Sequence, residues 1–570
     1  MKRASKQIFI GVALLAILLG AGFFRFEDLG RQSYWMDEGY TVNAIISGLQ
    51  NGTREFSEVL DSGRTYFCPM YCAPTKLLIE YLENKNAVQT GIDTVMIPDP
   101  TTFGAVPFRL LAALAGLLAV GLFALIAKKT FKSNAIALLA AFFTAFSYWQ
   151  IAWSRQARWY TEYELFFWLA LFFAYLATTI KPSEQPSPLS SPTLGGGAVP
   201  SLRSLNSSAS PDAGEGRVRV VVFLLLSLLF AALATLTHNL GYGLFVIIAT
   251  YLLLSPLLNQ GEGRVRSAIN AAKILILIAA VAIPAFTLEA MTGFKFSHAL
   301  INKVSFHYEL AYYLNFYFQN YWYLIIFSLF GFFSASKEQK RAYWLVFLPI
   351  IGYLFALGFL TDIVHYRYMF APIGGLFITG AAGLYAVIAS ITKKPRQIFG
   401  WAVAVLVIIF FFLSGEGITK PQGFYFLESD FGRPSGRPYW GYTPQPEFNR
   451  AYAYIKANLK QDDIVIASHP HFNKIFLNQP GYWIKYDYLG LDKVSDTVTD
   501  DKEYYVGATV INNLDELKKL MASHHGYITY DFMSQDGRIT PEIIAYIKAN
   551  AEQVWYEAIN AYSQIWVYKF

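Results

Sequence analysis

Apolar residues up to about position 413 fall into long, nearly uninterrupted runs rather than into an alternating or amphipathic pattern. An apolar run of about 17–25 residues is long enough to cross the hydrocarbon core of a bilayer as an α-helix. The pattern therefore predicts about eleven transmembrane helices, at 8–24, 106–127, 134–153, 163–180, 220–237, 241–258, 268–287, 321–333, 342–360, 369–392 and 399–413.

Basic residues test this count, because cytoplasmic loops of membrane proteins carry an excess of Lys and Arg. Every second connection is basic when the spans are placed as above. The basic residues of these connections are Lys2, Arg3 and Lys6; Lys128, Lys129 and Lys132; Lys181, Arg203, Arg217 and Arg219; Arg264 and Arg266; Lys337, Lys340 and Arg341; and Lys393, Lys394 and Arg396. We expect a multi-pass protein of the plasma (inner) membrane, with a cytoplasmic N-terminus and the chain after about residue 414 outside.

The connections divide the membrane part, 1–416, further. A first outer loop spans 26–105, and a second outer loop spans 289–320 with interleaved aromatic and polar residues. Residues 182–216 are rich in Ser, Pro and Gly and hold few large apolar side chains, which predicts a flexible cytoplasmic loop.

Residues 417–570 change character, because strand-like and helix-like segments alternate there. Residues 463–467 read as a buried strand and the last residues alternate like another strand. Asn513 with Glu516 three residues later is typical of a helix start, and so is Pro541 in a first turn. The fold class expected overall is a polytopic α-helical membrane protein with a small extracytoplasmic α/β C-terminal domain.

Composition narrows the function classes. Hydrophobic residues make up 54% of the chain and charged residues only 15%, below the share of soluble domains. The formal net charge of +6 is too small to indicate nucleic-acid binding. Cys68 and Cys72, the two cysteines, allow one internal disulfide at most. No phosphate-binding glycine loop and no zinc-protease helix is present in the sequence.

The strongest local feature is an acidic pair, Asp37 and Glu38, set among aromatic residues just after the first span. Two ordinary solvated acids would explain it. Alternatively, a carboxylate beside aromatic rings at the membrane surface can act as a general base toward an acceptor hydroxyl or amine.

Several cations lie on the predicted outer side, against the positive-inside trend. They are Arg155 and Arg158 in the turn after the third span, Arg367 before the tenth, Arg109, and Lys303 in the second outer loop; His238 lies at an outer helix end. Guanidinium groups bind phosphate bidentately, so a phosphate is one natural partner for such residues. Arginines that extend to the interface from helix ends, with Glu162 neutralising one of them, are the alternative.

This set of motifs resembles the GT-C glycosyltransferases, with the protein O-mannosyltransferase and lipid A aminoarabinose transferase superfamily (glycosyltransferase family 39-like) as the closest branch. The matching stretches are 35–40, 103–110, 154–160, 237–239 and 367–369, in the same order and on one membrane side. The resemblance covers essentially the whole chain, including its helix count and its outer C-terminal domain. It departs from the pattern at Glu162, where many relatives have an Asp soon after the Arg-rich turn.

The resemblance implies a polyprenyl-phosphate-linked sugar as donor and an acceptor that is a protein, a lipid or a glycan. By the same likeness, Asp37 would be the general base and Glu38 an acid that positions donor or acceptor. Arg155, Arg158, Arg367, Arg109 and Lys303 would be candidates for the lipid phosphate. Tyr40, Tyr160, Glu162, His238 and Tyr368 would contact substrate. No cofactor is required and no metal site is predicted, although adjacent carboxylates are also able to bind a divalent metal.

The implied reaction is an inverting transfer on the non-cytoplasmic face, in which fixed Arg groups stabilise the departing lipid phosphate. Three alternatives stay open from the sequence. The chain could be a flippase or transporter of lipid-linked sugars, an oligosaccharide transferase or glycan polymerase, or a non-catalytic scaffold for envelope assembly. A transporter would carry ionisable residues in mid-helix, and the runs here are nearly free of them.

Overall fold

The protein is described here from a computed structural model of the 570-residue chain. The structure describes residues 2–34, 36–50, 69–90, 105–179, 211–257, 310–359, 366–391, 397–413, 417–418, 446–484, 498–499, 502–503, 506–537, 539–559 and 563–570. The predicted loop 182–216, the predicted span 268–287 and the predicted second outer loop lie wholly or largely outside these residues.

Helices dominate the described residues up to Leu413. They are α1 (Lys2–Phe26), α2 (Met36–Gln50), α3 (Pro69–Thr90), α4 (Val106–Phe131), α5 (Asn134–Phe146), α6 (Tyr148–Ser154), α7 (Tyr160–Thr179), α8 (Pro211–Thr237), α9 (Tyr242–Leu257), α10 (Leu310–Ser334), α11 (Lys337–Phe359), α12 (Phe370–Ile391) and α13 (Gln397–Leu413). Short 3-10 helices cover Asn239–Gly241 and Tyr366–Met369.

Five of the described segments are long and apolar enough to cross a membrane: Gln7–Phe26, Val106–Phe131, Val218–Thr237, Lys337–Phe359 and Tyr366–Ser390. All five overlap predicted spans, and the protein is a membrane protein. The full number of about eleven spans and the orientation of the termini stay predictions.

The third predicted span, 134–153, is not one continuous helix. It divides at Ser147, whose backbone is extended and bridges to Gly417 in an antiparallel pair. Ser133 caps the start of α5 by accepting a hydrogen bond from the backbone N–H of Ile136 at 3.4 Å. The short α6 begins after this break at Ser147 and leads directly into the Arg-rich turn at 155–159.

Close packing of the membrane helices depends on small residues. A side chain at Gly383 of α12 would place its Cβ 1.7 Å from the carbonyl oxygen of Phe327 in α10, so only glycine fits there. Such small residues let the backbones of membrane helices approach, because apolar helices gain little from hydrophobic burial within lipid. Trp168 of α7 adds a direct link by donating to the carbonyl of Ala371 at 2.7 Å.

Residues after 446 form a mixed eight-stranded sheet with helices. Its strands are β1 (Ile464–Ala467), β2 (Tyr482–Ile484), β3 (Val498–Thr499), β4 (Lys502–Glu503), β5 (Thr509–Ile511), β6 (Gly526–Asp531), β7 (Glu552–Ala558) and β8 (Gln564–Lys569), in the spatial order β3-β4-β5-β2-β1-β6-β8-β7. The central strands β5, β2, β1 and β6 are parallel, and both edges are antiparallel. The helices are α14 (Phe448–Asn458), α15 (Pro470–Leu477), α16 (Leu514–Ser523), α17 (Phe532–Gly537) and α18 (Pro541–Asn550).

One hydrophobic cluster joins this sheet to the membrane part. It contains Tyr34 and Val42 from the first loop region, Phe108 of α4, and Phe448 and Phe472 from α14 and α15. Helix α15, which follows β1, packs against α2.

Candidate active site

The acidic pair lies at the start of α2, a helix that the hydrophobic pattern did not predict. Asp37 is the second residue of this helix, and the structure describes its backbone only. Glu38 is fully buried. Carboxylates are stabilised near the N-terminus of a helix, where the backbone N–H groups carry partial positive charge.

Glu38 forms a bidentate ion pair with Arg109 of α4. The Nε and Nη2 atoms of Arg109 donate to the two carboxylate oxygens, each at 2.8 Å. The remaining N–H groups of Arg109 donate to the backbone carbonyls of three residues ahead of α2, Leu29, Gln32 and Ser33. All five guanidinium donors of Arg109 thus have acceptors within the protein.

Glu38 also accepts a hydrogen bond from the backbone N–H of Ala157, at 2.5 Å. Ala157 lies in the Arg-rich turn between α6 and α7. One carboxylate therefore connects α2, α4 and this turn, which brings three of the predicted motifs together.

The two arginines of the turn have different environments. Arg155 donates to the backbone carbonyls of Phe24, Arg25, Glu27 and Asp28, at 2.7–3.3 Å. These carbonyls end α1, where the helix leaves its acceptors without intrahelical partners and where a cation is favoured. Arg155 thus connects the carboxyl end of α1 to the Arg-rich turn through hydrogen bonds.

Arg158 instead lies near α2 and the aromatic residues Trp159 and Tyr160 at the start of α7. Its Nη1 donates to the hydroxyl of Thr41 at 3.1 Å, and its guanidinium carbon lies 4.2 Å from the ring centre of Trp159 and 5.7 Å from that of Tyr160. Stacking on aromatic faces holds a guanidinium while leaving its edge able to bind an anion.

His238 stands between Arg158 and Arg367. Its ring centre lies 5.7 Å from that of Tyr160 and 5.7 Å from that of Tyr368, over which Arg367 is stacked at 5.5 Å. Burial, followed by the charges of Arg158 and Arg367, lowers the pKa of His238 to about 3, so the ring is neutral near pH 7. Its Nδ1 accepts from the backbone N–H of Leu240 at 3.1 Å, which leaves the proton on Nε2.

The other predicted contacts lie around this centre. Tyr40 is partly buried on α2, and Tyr160 is buried at the start of α7. Glu162 is buried in the first turn of α7, and its Oε2 accepts from the hydroxyl of Thr161 at 3.3 Å. Lys303 lies outside the described residues. Among the described residues, no three His, Cys, Asp or Glu side chains come close enough together to hold a metal ion, and a metal-free reaction stays a prediction.

Sequence reasoning missed the pairing of Glu38 with Arg109 and the way Arg155 closes α1. A signal for the first existed, since the sequence predicts Arg109 near the membrane surface on the outer side, where cations are not expected. It also missed His469 and His471, which follow the buried strand β1 in the sequence Ser468-His-Pro-His471.

Comparison with known proteins gives a fold but no close relative. Neither a protein-family model nor a curated protein sequence matches this chain. Among solved structures, apo ArnT from Cupriavidus metallidurans aligns over 100% of this chain and 98% of its own, at 11% identity and a TM-score of 0.53. The chain has a GT-C fold.

Two further solved GT-C structures are similar to this chain in fold. ArnT from Cupriavidus metallidurans bound to undecaprenyl phosphate aligns over 99% of this chain and 98% of its own, with 12% identity and a TM-score of 0.51. The oligosaccharyltransferase AglB from Archaeoglobus fulgidus, in complex with an inhibitory peptide and a dolichol-phosphate, aligns over 93% of this chain and 70% of its own, with 12% identity and a TM-score of 0.51. The predicted resemblance to GT-C glycosyltransferases is confirmed at the level of the fold.

Proposed function

We propose that the protein is a membrane glycosyltransferase that moves a hexosyl or pentosyl group from a polyprenyl-phosphate-linked donor to an acceptor on the non-cytoplasmic face. One observation carries this proposal. The guanidinium groups of Arg158 and Arg367 flank the neutral ring of His238, next to α2, the helix that begins with the acidic pair. An anionic lipid phosphate fits between two guanidinium groups, and a carboxylate can take the acceptor's proton. The fold shared with ArnT and AglB, solved with undecaprenyl phosphate and dolichol-phosphate respectively, supports a lipid-linked donor.

In the proposed reaction, the acceptor oxygen or nitrogen attacks the anomeric carbon of the sugar, and Asp37 removes its proton. The bond from the anomeric carbon to the phosphate oxygen breaks, and polyprenyl phosphate leaves with an added negative charge. Attack from the face opposite the leaving group inverts the anomeric centre. Fixed guanidinium groups bind that charge more strongly in the transition state than in the ground state, so they accelerate the reaction.

We assign Arg109 and Arg155 to the support of this site. Every guanidinium donor of Arg109 has an acceptor within the protein, and Arg155 donates to four backbone carbonyls at the end of α1. Arg109 therefore holds Glu38, and Arg155 holds the turn that carries Arg158. We therefore assign binding of the lipid phosphate to Arg158 and Arg367, and its surroundings to Tyr160, Tyr368 and His238.

Substitution of the two proposed phosphate ligands tests this assignment. We expect Arg158→Ala and Arg367→Ala each to weaken binding of undecaprenyl phosphate to the purified protein by about 10–100-fold, because a charge-assisted hydrogen bond contributes about 1.5–3 kcal/mol. Binding is measured by titration of the detergent-solubilised protein with undecaprenyl phosphate.

Arg450→Ala is the matched control, because Arg450 is 67% exposed and pairs only at the surface with Glu557. An affinity in both Arg158→Ala and Arg367→Ala equal to that of Arg450→Ala would remove these two residues from the phosphate site.

The proposed orientation has a separate test. Cys72 is disulfide-bonded, and Cys68 is the only other cysteine in the chain. Disulfides persist in oxidising compartments, which supports an outer location for this loop. We expect a membrane-impermeant maleimide to label these cysteines in intact cells only after reduction. In a cysteine-free background, Lys129→Cys, which is exposed just before the end of α4, should be labelled only after the cells are permeabilised. Labelling of Lys129→Cys in intact cells would contradict the orientation.

A further inference from the structure

The C-terminal sheet touches α2 at the residue that follows the acidic pair. A Cβ built on Gly39 would lie 2.2 Å from Cδ2 and 2.7 Å from Nε2 of His471, and 3.1 Å from Cε1 of Phe472. Real Cβ atoms essentially never come as close to another atom as the two His471 distances, so α15 packs directly on the backbone of α2. The ring of His471 also lies against that of Tyr40, with 4.6 Å between the ring centres.

A second contact fixes the segment that leads into α2. The hydroxyl of Ser33 donates to Oδ1 of Asn449 at 3.0 Å, and the backbone N–H of Asn449 donates back to the same hydroxyl at 3.0 Å. Asn449 lies in the first turn of α14, so this helix holds the chain just ahead of the acidic pair. Tyr34 adds a ring contact of 6.3 Å to Phe476 of α15.

A buried polar cluster anchors α15 to the sheet. Nε2 of His469 lies 3.3 Å from Oδ1 of Asp531 and 3.4 Å from the hydroxyl of Ser534. The backbone N–H of Ser534 donates to Oδ1 of Asp531 at 3.0 Å. His469 follows β1 and Asp531 ends β6, so the carboxyl ends of two neighbouring parallel strands hold the first turn of α15.

We propose that the C-terminal sheet positions the acidic helix, with His471 as the positioning residue that sets where the first turn of α2, and with it the backbone of Asp37, lies over the lipid phosphate site. This proposal rests on the proposed function. Arg109 holds α2 from the membrane side through Glu38, and His471 holds it from the sheet side through Gly39 and Tyr40. Helix α2 is thus held between α4 and α15, which are far apart in the sequence.

The arrangement has a kinetic consequence. A misplacement of about 1 Å in a reacting group can cost about 10²-fold in rate, because catalysis depends on a near-attack geometry. Arg158 and Arg367, which we assign to the phosphate, are contributed by other elements than α15. A change at the Gly39–His471 contact should therefore lower the rate of transfer more than the affinity for undecaprenyl phosphate, which α2 affects through the hydrogen bond from Arg158 to Thr41.

The test is a double-mutant cycle on the full-length protein, with transfer measured in cells and with binding and hydrogen exchange measured on the purified variants. Gly39→Ala introduces the Cβ that meets His471, and His471→Ala removes the ring that it meets. We expect Gly39→Ala to lower transfer by about 10²-fold and to speed hydrogen exchange of the amides of α2. Adding Gly39→Ala to His471→Ala should lower transfer by no more than about a further threefold, because the new Cβ no longer meets the ring of His471.

Gly121→Ala is the matched control, since a Cβ at Gly121 meets nothing within 4 Å. Transfer is read as sugar incorporated into the envelope fraction of cells that express each variant at equal levels, by mass spectrometry. Binding of undecaprenyl phosphate and hydrogen exchange are read on the purified proteins. Hydrogen exchange in α4 and α7 equal to that of the wild type shows that the Gly39→Ala variant is folded.

Two outcomes would overturn the positioning role. One is Gly39→Ala behaving like Gly121→Ala in both transfer and exchange. The other is additivity of the two substitutions, which would mean that Gly39 and His471 do not act on each other. The exchange measurement does not depend on any sugar chemistry, so it decides this proposal even if Asp37→Asn, the test of the proposed function, retains full transfer.

Discussion

Asp37→Asn is expected to lower sugar transfer by about 10²–10⁴-fold, the usual contribution of a positioned general base. Asparagine has nearly the same shape as aspartate but cannot accept the proton that the acceptor must lose. Binding of undecaprenyl phosphate should change little, because the phosphate is assigned to Arg158 and Arg367. The expected signature is therefore loss of turnover with retained donor-phosphate affinity, which indicates an interaction made in the transition state.

Asp28→Asn is the matched control for this experiment. Asp28 lies nine residues before Asp37, and its exposed carboxylate pairs with Arg31 at 3.4 Å. Both variants lose one carboxylate, but only Asp37→Asn should lose transfer. Full transfer by purified Asp37→Asn would remove Asp37 from the catalytic role and with it the mechanism proposed above.

The membrane part was accessible to sequence reasoning because its signals are local. Long apolar runs predict spans from bilayer thickness alone, and all five described segments long enough to cross a membrane overlap such runs. The prediction went wrong in detail at Ser147, where the apolar run continues but the helix does not. Hydropathy cannot show that break, because it records side-chain polarity and not backbone direction.

The candidate site was accessible only as separate motifs. The acidic pair, the Arg-rich turn and the Arg-Tyr motif before α12 could each be named from the sequence. Their partners could not, because Glu38 meets Arg109 and Ala157 only through the packing of α2, α4 and the turn before α7. Cations with the same sequence-level signal thus proved to have different surroundings: Arg109 and Arg155 bind groups of the protein, whereas Arg158 and Arg367 flank His238.

The contact of the C-terminal sheet with α2 could not be predicted from local sequence patterns. Ser33 and Asn449 are 416 residues apart, and nothing near either residue predicts the other. Gly39 also carries no signal by itself, since its lack of a side chain matters only once His471 lies against it. Such requirements come from tertiary packing, in which every close approach is set by both surfaces.

Removal of one partner of the buried Glu38–Arg109 pair should have the largest effect on stability. Glu38 is fully buried and Arg109 is 1% exposed, so Arg109→Ala leaves a carboxylate in a region with little water. Breaking a buried pair in this way costs about 3–5 kcal/mol, because the remaining charge has no compensation. We expect a marked fall in the midpoint of thermal unfolding of the solubilised protein.

The double variant Glu38→Gln/Arg109→Met separates this cause from a simple loss of packing. It removes both charges while keeping side chains of similar length, so its unfolding midpoint should lie above that of Arg109→Ala, even though transfer is lost. Arg450→Ala serves as the comparison for an exposed pair, which contributes only about 0–1 kcal/mol. If Arg109→Ala unfolds at the same temperature as Arg450→Ala, the bidentate pair does not hold α2 in place. The position of the acidic helix would then depend more on the C-terminal sheet, and the coupling between Gly39 and His471 should be correspondingly larger.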